Sequence, residues 1–186
     1  LHQAMIFSGT QGIGKATFTY FFLNQIFKSF NKKFGTSNHS HLIYNNSHPN
    51  ILTINKEFDE KTKKIKNFIT IDQIRNLDSF VYQSSFDNLP KFIVIDSADD
   101  LNINSSNGLL KKLEEPKKNT YFILISHQLS ILSSTIRSRC IKFNFHNPNL
   151  NQFKEIILNS SDSIEKFNCE FLYDISNGSP GLALKL

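Results

Sequence analysis

Short apolar runs alternate along this chain with stretches whose apolar residues recur at helical spacing, the pattern of a parallel sheet covered by helices. The runs fall at about Ala4–Ser8, Ile51–Ile54, Phe92–Asp96, Tyr121–Ser126 and Cys140–Phe145. Phe92-Ile93-Val94-Ile95 is apolar without alternation, as a strand buried on both faces is. A helix is predicted from Lys15 to roughly Phe30. A second carries Ile71, Ile74, Leu77 and Val81 on one face, with Thr70 or Asp72 available to cap it. A third spans Asn102–Glu114 and is stopped by Pro116. Beyond Asn147-Pro148 the texture becomes helical. Phe153, Ile156 and Ile157, then Phe167, Phe171, Leu172 and Ile175, predict two short helices, and Gly178-Ser179-Pro180-Gly181 opens another. Pro148 marks the expected boundary between an α/β domain over 1–147 and a small helical domain over 148–186. Two intervals break the pattern. Residues 31–49 are polar and rich in Asn, His and Ser, and read as a loop or small insertion. Residues 56–67 carry many charges and read as a solvated turn region.

Length agrees with this division, since 186 residues hold one full α/β domain and part of a second. Eighteen Phe can fill a core that has no Trp. No apolar run approaches the roughly 18–20 residues of a membrane span, and no secretory signal is visible. The chain starts at Leu1 rather than Met and enters its first strand almost at once, so residues are expected upstream. The two cysteines, Cys140 and Cys169, form no C-x-x-C pair and are expected to be reduced thiols of a cytoplasmic protein. A net charge of +5 suits a polyanionic partner without requiring one. Lys61, Lys63, Lys64 and Lys66 are the only dense basic cluster.

The first candidate site is Gly9-Thr10-Gln11-Gly12-Ile13-Gly14-Lys15-Ala16, between the first strand and the first helix. That strand–loop–helix order lets backbone N–H groups from Gly9, Gly12 and Gly14 converge on a phosphate, with Lys15 adding a point charge. A working loop follows the lysine with Ser or Thr, whose hydroxyl holds Mg²⁺, but Ala16 has none. Asp96 ends the central strand, where a P-loop ATPase places an acid toward Mg²⁺, or it caps the following turn. The next residue is Ser97, which cannot serve as a base, and Asp99 and Asp100 lie beyond the strand end and are expected to point elsewhere. Arg139, in Ser138-Arg139-Cys140, precedes the last strand. It can reach a neighbouring subunit's γ-phosphate, or form an ordinary surface salt bridge. His39, His41 and His48 lack ligand spacing and read as parts of a solvated loop.

Taken together the motifs resemble the delta-prime subunits of bacterial DNA polymerase III clamp loaders, which are AAA+ proteins. The resemblance rests on Gly12-Ile13-Gly14-Lys15-Ala16, His48-Pro49-Asn50, Ile71-Asp72-Gln73-Ile74-Arg75 and Ile95-Asp96-Ser97-Ala98-Asp99. It continues through Leu109-Leu110-Lys111-Lys112-Leu113-Glu114-Glu115-Pro116, Asn119-Thr120-Tyr121-Phe122, Thr135-Ile136-Arg137-Ser138-Arg139-Cys140 and Gly178-Ser179-Pro180-Gly181. The Leu-Glu-Glu-Pro and Ser-Arg-Cys runs are the specific ones. The resemblance implies a P-loop AAA+ parallel five-stranded sheet of order 5-1-4-3-2, with helices on both faces and a small helical lid. It implies a non-hydrolysing stator in a hetero-pentamer that loads the sliding clamp onto primed DNA, as part of a DNA polymerase holoenzyme. Arg139 would then be an arginine finger acting in trans, with ATP and Mg²⁺ at the neighbouring subunit's site and no cofactor required here. Ser126 would hold the sensor-one position. Relatives often carry four zinc-binding cysteines after the first helix, which are missing, so no zinc is expected. Leu182 stands where a sensor-two arginine often follows the Gly-Ser-Pro-Gly run, and the family's C-terminal collar lies beyond this chain. The competing expectations are an active clamp-loader ATPase and a P-loop module that binds DNA directly.

Overall fold

The computed structural model describes residues 2–34, 39–160 and 169–186. Five strands form one parallel sheet: β1 (Ala4–Ser8), β2 (Ile51–Ile54), β5 (Lys91–Asp96), β6 (Thr120–Ser126) and β7 (Ile141–Asn144). A small antiparallel ribbon, β3 (Phe58–Asp59) and β4 (Lys64–Ile65), follows β2. The helices are α1 (Lys15–Phe34), α2 (His39–Tyr44), α3 (Ile71–Tyr82), α4 (Ile103–Glu114), α5 (Ser134–Arg139), α6 (Leu150–Ser160), α7 (Cys169–Ile175) and α8 (Pro180–Ala183). The sheet order is β2-β5-β6-β1-β7, which in main-sheet strands counted along the chain is the expected 5-1-4-3-2.

Burial on both faces explains the unbroken apolar runs. Alternate residues divide between two layers. Ile6, Ile93, Ile95 and Leu124 pack with Ile74, Leu77, Leu109, Leu113 and Ile136 from α3, α4 and α5. Met5, Phe7, Phe92, Val94, Ile123 and Ile125 pack on the other face with Leu23 and Phe27 of α1 and Ile43 of α2. The central strands register from Lys91↔Thr120 to Asp96↔Ile125, so their C-terminal ends finish together.

Local signals set the helix ends. Thr70, rather than Asp72, caps α3 in a reciprocal box: its hydroxyl accepts from Gln73 N at 3.5 Å while Gln73 Oε1 accepts from Thr70 N at 3.0 Å. Asn102 caps α4 by accepting from Ser105 N at 2.9 Å. Gly108 lets α3 approach α4, since a Cβ there would lie 2.6 Å from Ile71 Cδ1. The C-terminal helices keep a core of their own, with Phe153, Ile157, Leu172 and Ala183 packed together. Phe167 lies outside the described residues.

Both intervals read as solvated contain structure. The charged stretch folds into the β3–β4 ribbon, in which Phe58 faces Ile65. In the polar interval α1 continues to Phe34 and α2 follows. His39 and His48 are not solvated: they are 2% and 3% exposed. Their rings lie 5.4 and 4.2 Å from that of Phe27, and His39 Nδ1 is 2.9 Å from His48 Nε2. Asn50 N donates to His48 Nδ1 at 3.1 Å, which leaves the His48 proton on Nε2, donated to His39. Burial, then neighbouring His39, lowers the His48 pKa from 6.5 to about 4. The insertion is anchored by imidazoles where an apolar residue would ordinarily announce a core. His41, by contrast, lies on the exposed side of α2.

Candidate functional site: the phosphate-loop cleft and the arginine at the opposite sheet end

The loop joins β1 to α1 with positive φ at Gly12 (82°) and Gly14 (96°), which favours glycine at both positions. Lys15 does not project into solvent. It is 3% exposed and its ammonium donates to Gly9 O at 2.5 Å and Thr10 O at 2.7 Å, folded back on its own loop. Burial lowers its pKa, opposed by the negative charges of Asp99 and then Asp96. Ala16 supplies no hydroxyl, and Thr19 Oγ1, one turn into the helix, donates to Lys15 O at 2.8 Å. Thr17 reaches the wall of the cleft above the loop, a site of about 330 Å³ bordered also by Gly12, Lys15, Asp96 and His127.

Asp96 stands at the C-terminal end of β5, facing that cleft. Burial raises its carboxyl pKa, opposed by His127 and then Lys15. Ser97, not Asp96, caps the turn: its hydroxyl accepts from Asp99 N at 3.2 Å and donates to Asp99 Oδ2 at 3.0 Å. The expectation that Asp99 points elsewhere is corrected. Its carboxylate turns back to accept from Ser126 Oγ at 2.7 Å and from His127 N. The Ser126 hydroxyl is thereby committed to Asp99. Asp100 does turn away, to Lys56 at 3.0 Å. His127, next to Ser126, also borders the cleft, a place that its motif did not assign it. Its Nδ1 is buried without a hydrogen-bond partner among the described residues, and burial and then Lys15 push its pKa down against the nearby aspartates. These residues do not fit Mg²⁺ held in the ordinary P-loop manner, because Ala16 stands where the metal-binding hydroxyl follows the loop lysine.

The Gly-Ser-Pro-Gly run closes directly onto the loop. Ser179 Oγ donates to Gln11 O at 2.7 Å, and Gly181 N donates to Gly12 O at 2.8 Å. A Cβ on Gly181 would lie 2.6 Å from Gly12 O, so only glycine permits this approach. Leu182 sits against Gly12, and Lys185, three residues later, borders the cleft. A motif match at position 182 could not find Lys185.

Arg139 lies at the other end of the sheet. It ends α5, two residues before Ile141 pairs with Met5 at the start of β7. The phosphate loop follows the far end of that pairing, Ser8↔Asn144, three strand steps or about 10 Å away. The arginine Nη1 donates to Thr135 O at 2.9 Å, and Nη2 pairs with Glu114 Oε1 at 2.5 Å. It borders a surface cavity of about 530 Å³ with Gln3, Ala4, Leu113, Glu114 and Pro116. Cys140 is buried beneath, which pushes its thiol pKa up to about 11. Among the described residues no three His, Cys, Asp or Glu gather as a metal group. Nor is any described helix long and apolar enough to cross a membrane. The lysine cluster stays on the ribbon, where Lys66 pairs with Glu57 at 2.8 Å.

The family model described as "DNA polymerase III, delta subunit" matches residues 1–149. The DNA polymerase III subunit delta' of Pseudomonas aeruginosa is 34% identical over 145 residues, covering 78% of this chain and 42% of that protein. The chain belongs to the DNA polymerase III delta-prime family. A second delta-prime subunit, from Haemophilus influenzae, is 29% identical and covers 99% of this chain and 54% of its own length. The chain thus spans about half the length of these curated relatives. Among solved structures, a DNA polymerase III gamma subunit-related protein from Thermotoga maritima superposes with TM-score 0.62 at 16% identity, covering 99% of this chain and 53% of that one. The RuvB Holliday junction branch migration motor of the same organism superposes at TM-score 0.56 and 17% identity, over 100% of this chain and 52% of its own. At such identities these two matches establish the fold alone: the chain shares their α/β P-loop fold.

Proposed function

We propose that this chain is the AAA+ portion of a non-hydrolysing stator in a DNA polymerase III clamp loader, and that it contributes Arg139 to the ATP site of an adjacent subunit. One observation carries the reading. Arg139 and the phosphate loop lie at opposite ends of a parallel sheet, so this arginine does not serve its own loop, which supports a role at another subunit's. Arginine suits that role because its planar, permanently charged fork matches phosphate oxygens. The defects at the home cleft support the stator half of the reading. Ala16 lacks the metal-binding hydroxyl, Ser97 follows Asp96 where a water-orienting carboxylate would stand, and Leu182 occupies the lid position of a cation. The partners on this reading are the other subunits of a hetero-pentamer, the sliding clamp and, through the complex, primed DNA. ATP and Mg²⁺ would be bound by the neighbour.

The test is the DNA-stimulated ATPase of a loader reconstituted with the full-length subunit carrying Arg139→Ala. Loss of an arginine finger costs about 10³–10⁵ in turnover at the site it serves. With several ATP sites in the ring, a partial fall in total turnover is expected, with assembly and the subunit's thermal unfolding unchanged. An unaltered ATPase rate refutes the finger.

A further inference from the structure

The two most specific motifs of the chain, Leu-Glu-Glu-Pro and Ser-Arg-Cys, meet in space, and the first has no role in the function just described. Helix α4 delivers Leu113 into the core, where it packs with Ile136 of α5 and with Cys140. Pro116 prevents the helix from continuing, so Glu114 is the last residue of α4 just as Arg139 is the last of α5. Two helices anchored in one core therefore end side by side, one in a carboxylate and the other in a guanidinium.

We infer that Glu114 is the positioning residue for Arg139, an assignment that rests on the finger reading above. The guanidinium is held at two points, Nη1 on Thr135 O at 2.9 Å and Nη2 on Glu114 Oε1 at 2.5 Å. Thr135 tethers one edge to the helix's own backbone, and Glu114 fixes the plane from a second element. A guanidinium has five N–H donors, so these contacts leave donors free for an incoming phosphate oxygen. The pair is partly open, with the arginine side chain 34% and the glutamate 46% exposed, so a neighbour's phosphate can reach the fork without unfolding either helix. Without Glu114 the long arginine side chain must be ordered at each encounter. With it, that ordering is complete before the subunits meet. The Leu-Glu-Glu-Pro run thus serves the Ser-Arg-Cys run: leucine fixes the helix, proline ends it, and the first glutamate aims the arginine.

The experiment compares wild type, Glu114→Ala, Glu114→Gln, Arg139→Ala and the Glu114→Ala/Arg139→Ala double variant, each as the full-length subunit in the reconstituted loader. Ordering one rotamer-rich side chain is worth about a 2- to 10-fold change at the site served. Glu114→Ala should lower kcat part-way toward the Arg139→Ala value, with KM for ATP unchanged. Glu114→Gln, which keeps an acceptor oxygen, should recover most of the loss, and the double variant should be no slower than Arg139→Ala. Should the alanine variant fold poorly, Glu114→Ser provides a second truncation. A wild-type kcat for the truncation beside a slow Arg139→Ala overturns the positioning role and leaves the finger standing. Losses that multiply in the double variant also overturn it, because Glu114 would then act without Arg139. A wild-type rate for Arg139→Ala removes both assignments.

Discussion

Acid should loosen the α2 insertion through a single buried pair. His48 is 3% exposed, accepts from Asn50 N and donates to His39, an arrangement that only the neutral ring can make. Its pKa falls from 6.5 to about 4 on folding, burial being the larger cause and His39 the second. The folded pKa lies below the unfolded one, so the unfolded chain binds the proton first. The stability present above the ordinary histidine pKa is therefore lost as pH falls through the window between the two values, and the loss levels off below it. Applied to those pKa values, the linkage relation gives a loss at pH 4.5, relative to pH 7.5, of about 2.5 kcal/mol unscreened and about 1–2 kcal/mol with partial solvent screening. Other groups titrate in the same range, so the measurement is a difference. Urea unfolding at pH 7.5, 6.5, 5.5 and 4.5 would be compared for wild type and His48→Asn, whose side-chain oxygen can still accept from Asn50 N. The wild type should lose about 1–2 kcal/mol more than the variant across the range, most of it below pH 6.5. Parallel curves for the two proteins would refute the argument, and so would a difference confined to pH above 6.5.

The remaining expectations concern the seam and the thiols. Gly181→Ala drives a Cβ to 2.6 Å from Gly12 O and should destabilise the chain by about 1–3 kcal/mol in urea unfolding, as overpacking does; an unchanged midpoint would mean that the loop-to-α8 contact carries no load. Cys140, buried with its thiol pKa pushed up to about 11, should resist a thiolate-dependent disulfide reagent at pH 8 that modifies the less buried Cys169; equal rates for the two would contradict the burial.

The sheet was largely legible from local pattern. Continuous runs such as Phe92-Ile93-Val94-Ile95 can satisfy both faces only inside a covered parallel sheet, and the Thr70 box and Pro116 mark helix ends through groups a few residues apart. The glycine loop was legible for the same reason, since strand, turn and helix are contiguous. The sequence by itself therefore determined the fold class, the strand-to-helix order and the absence of a hydroxyl at Ala16. What it left open depended on contacts between residues far apart in the chain. The His39–His48 pair looked solvated because burial of a polar side chain depends on its partner, and neither ring predicts the other. Asp99 was expected to point elsewhere until folding brought Ser126 and His127 beside it. Lys185 became a cleft residue only because Gly181 seats α8 on Gly12. Arg139 shows the division most plainly. Its motif marks it as an arginine of interest, but the parallel register set it at the opposite end of the sheet from its own loop, and the meeting of α4 with α5 set Glu114 against it. Pattern along a chain reports which surfaces must be buried; which charged groups then share a site is decided by the packing that buries them.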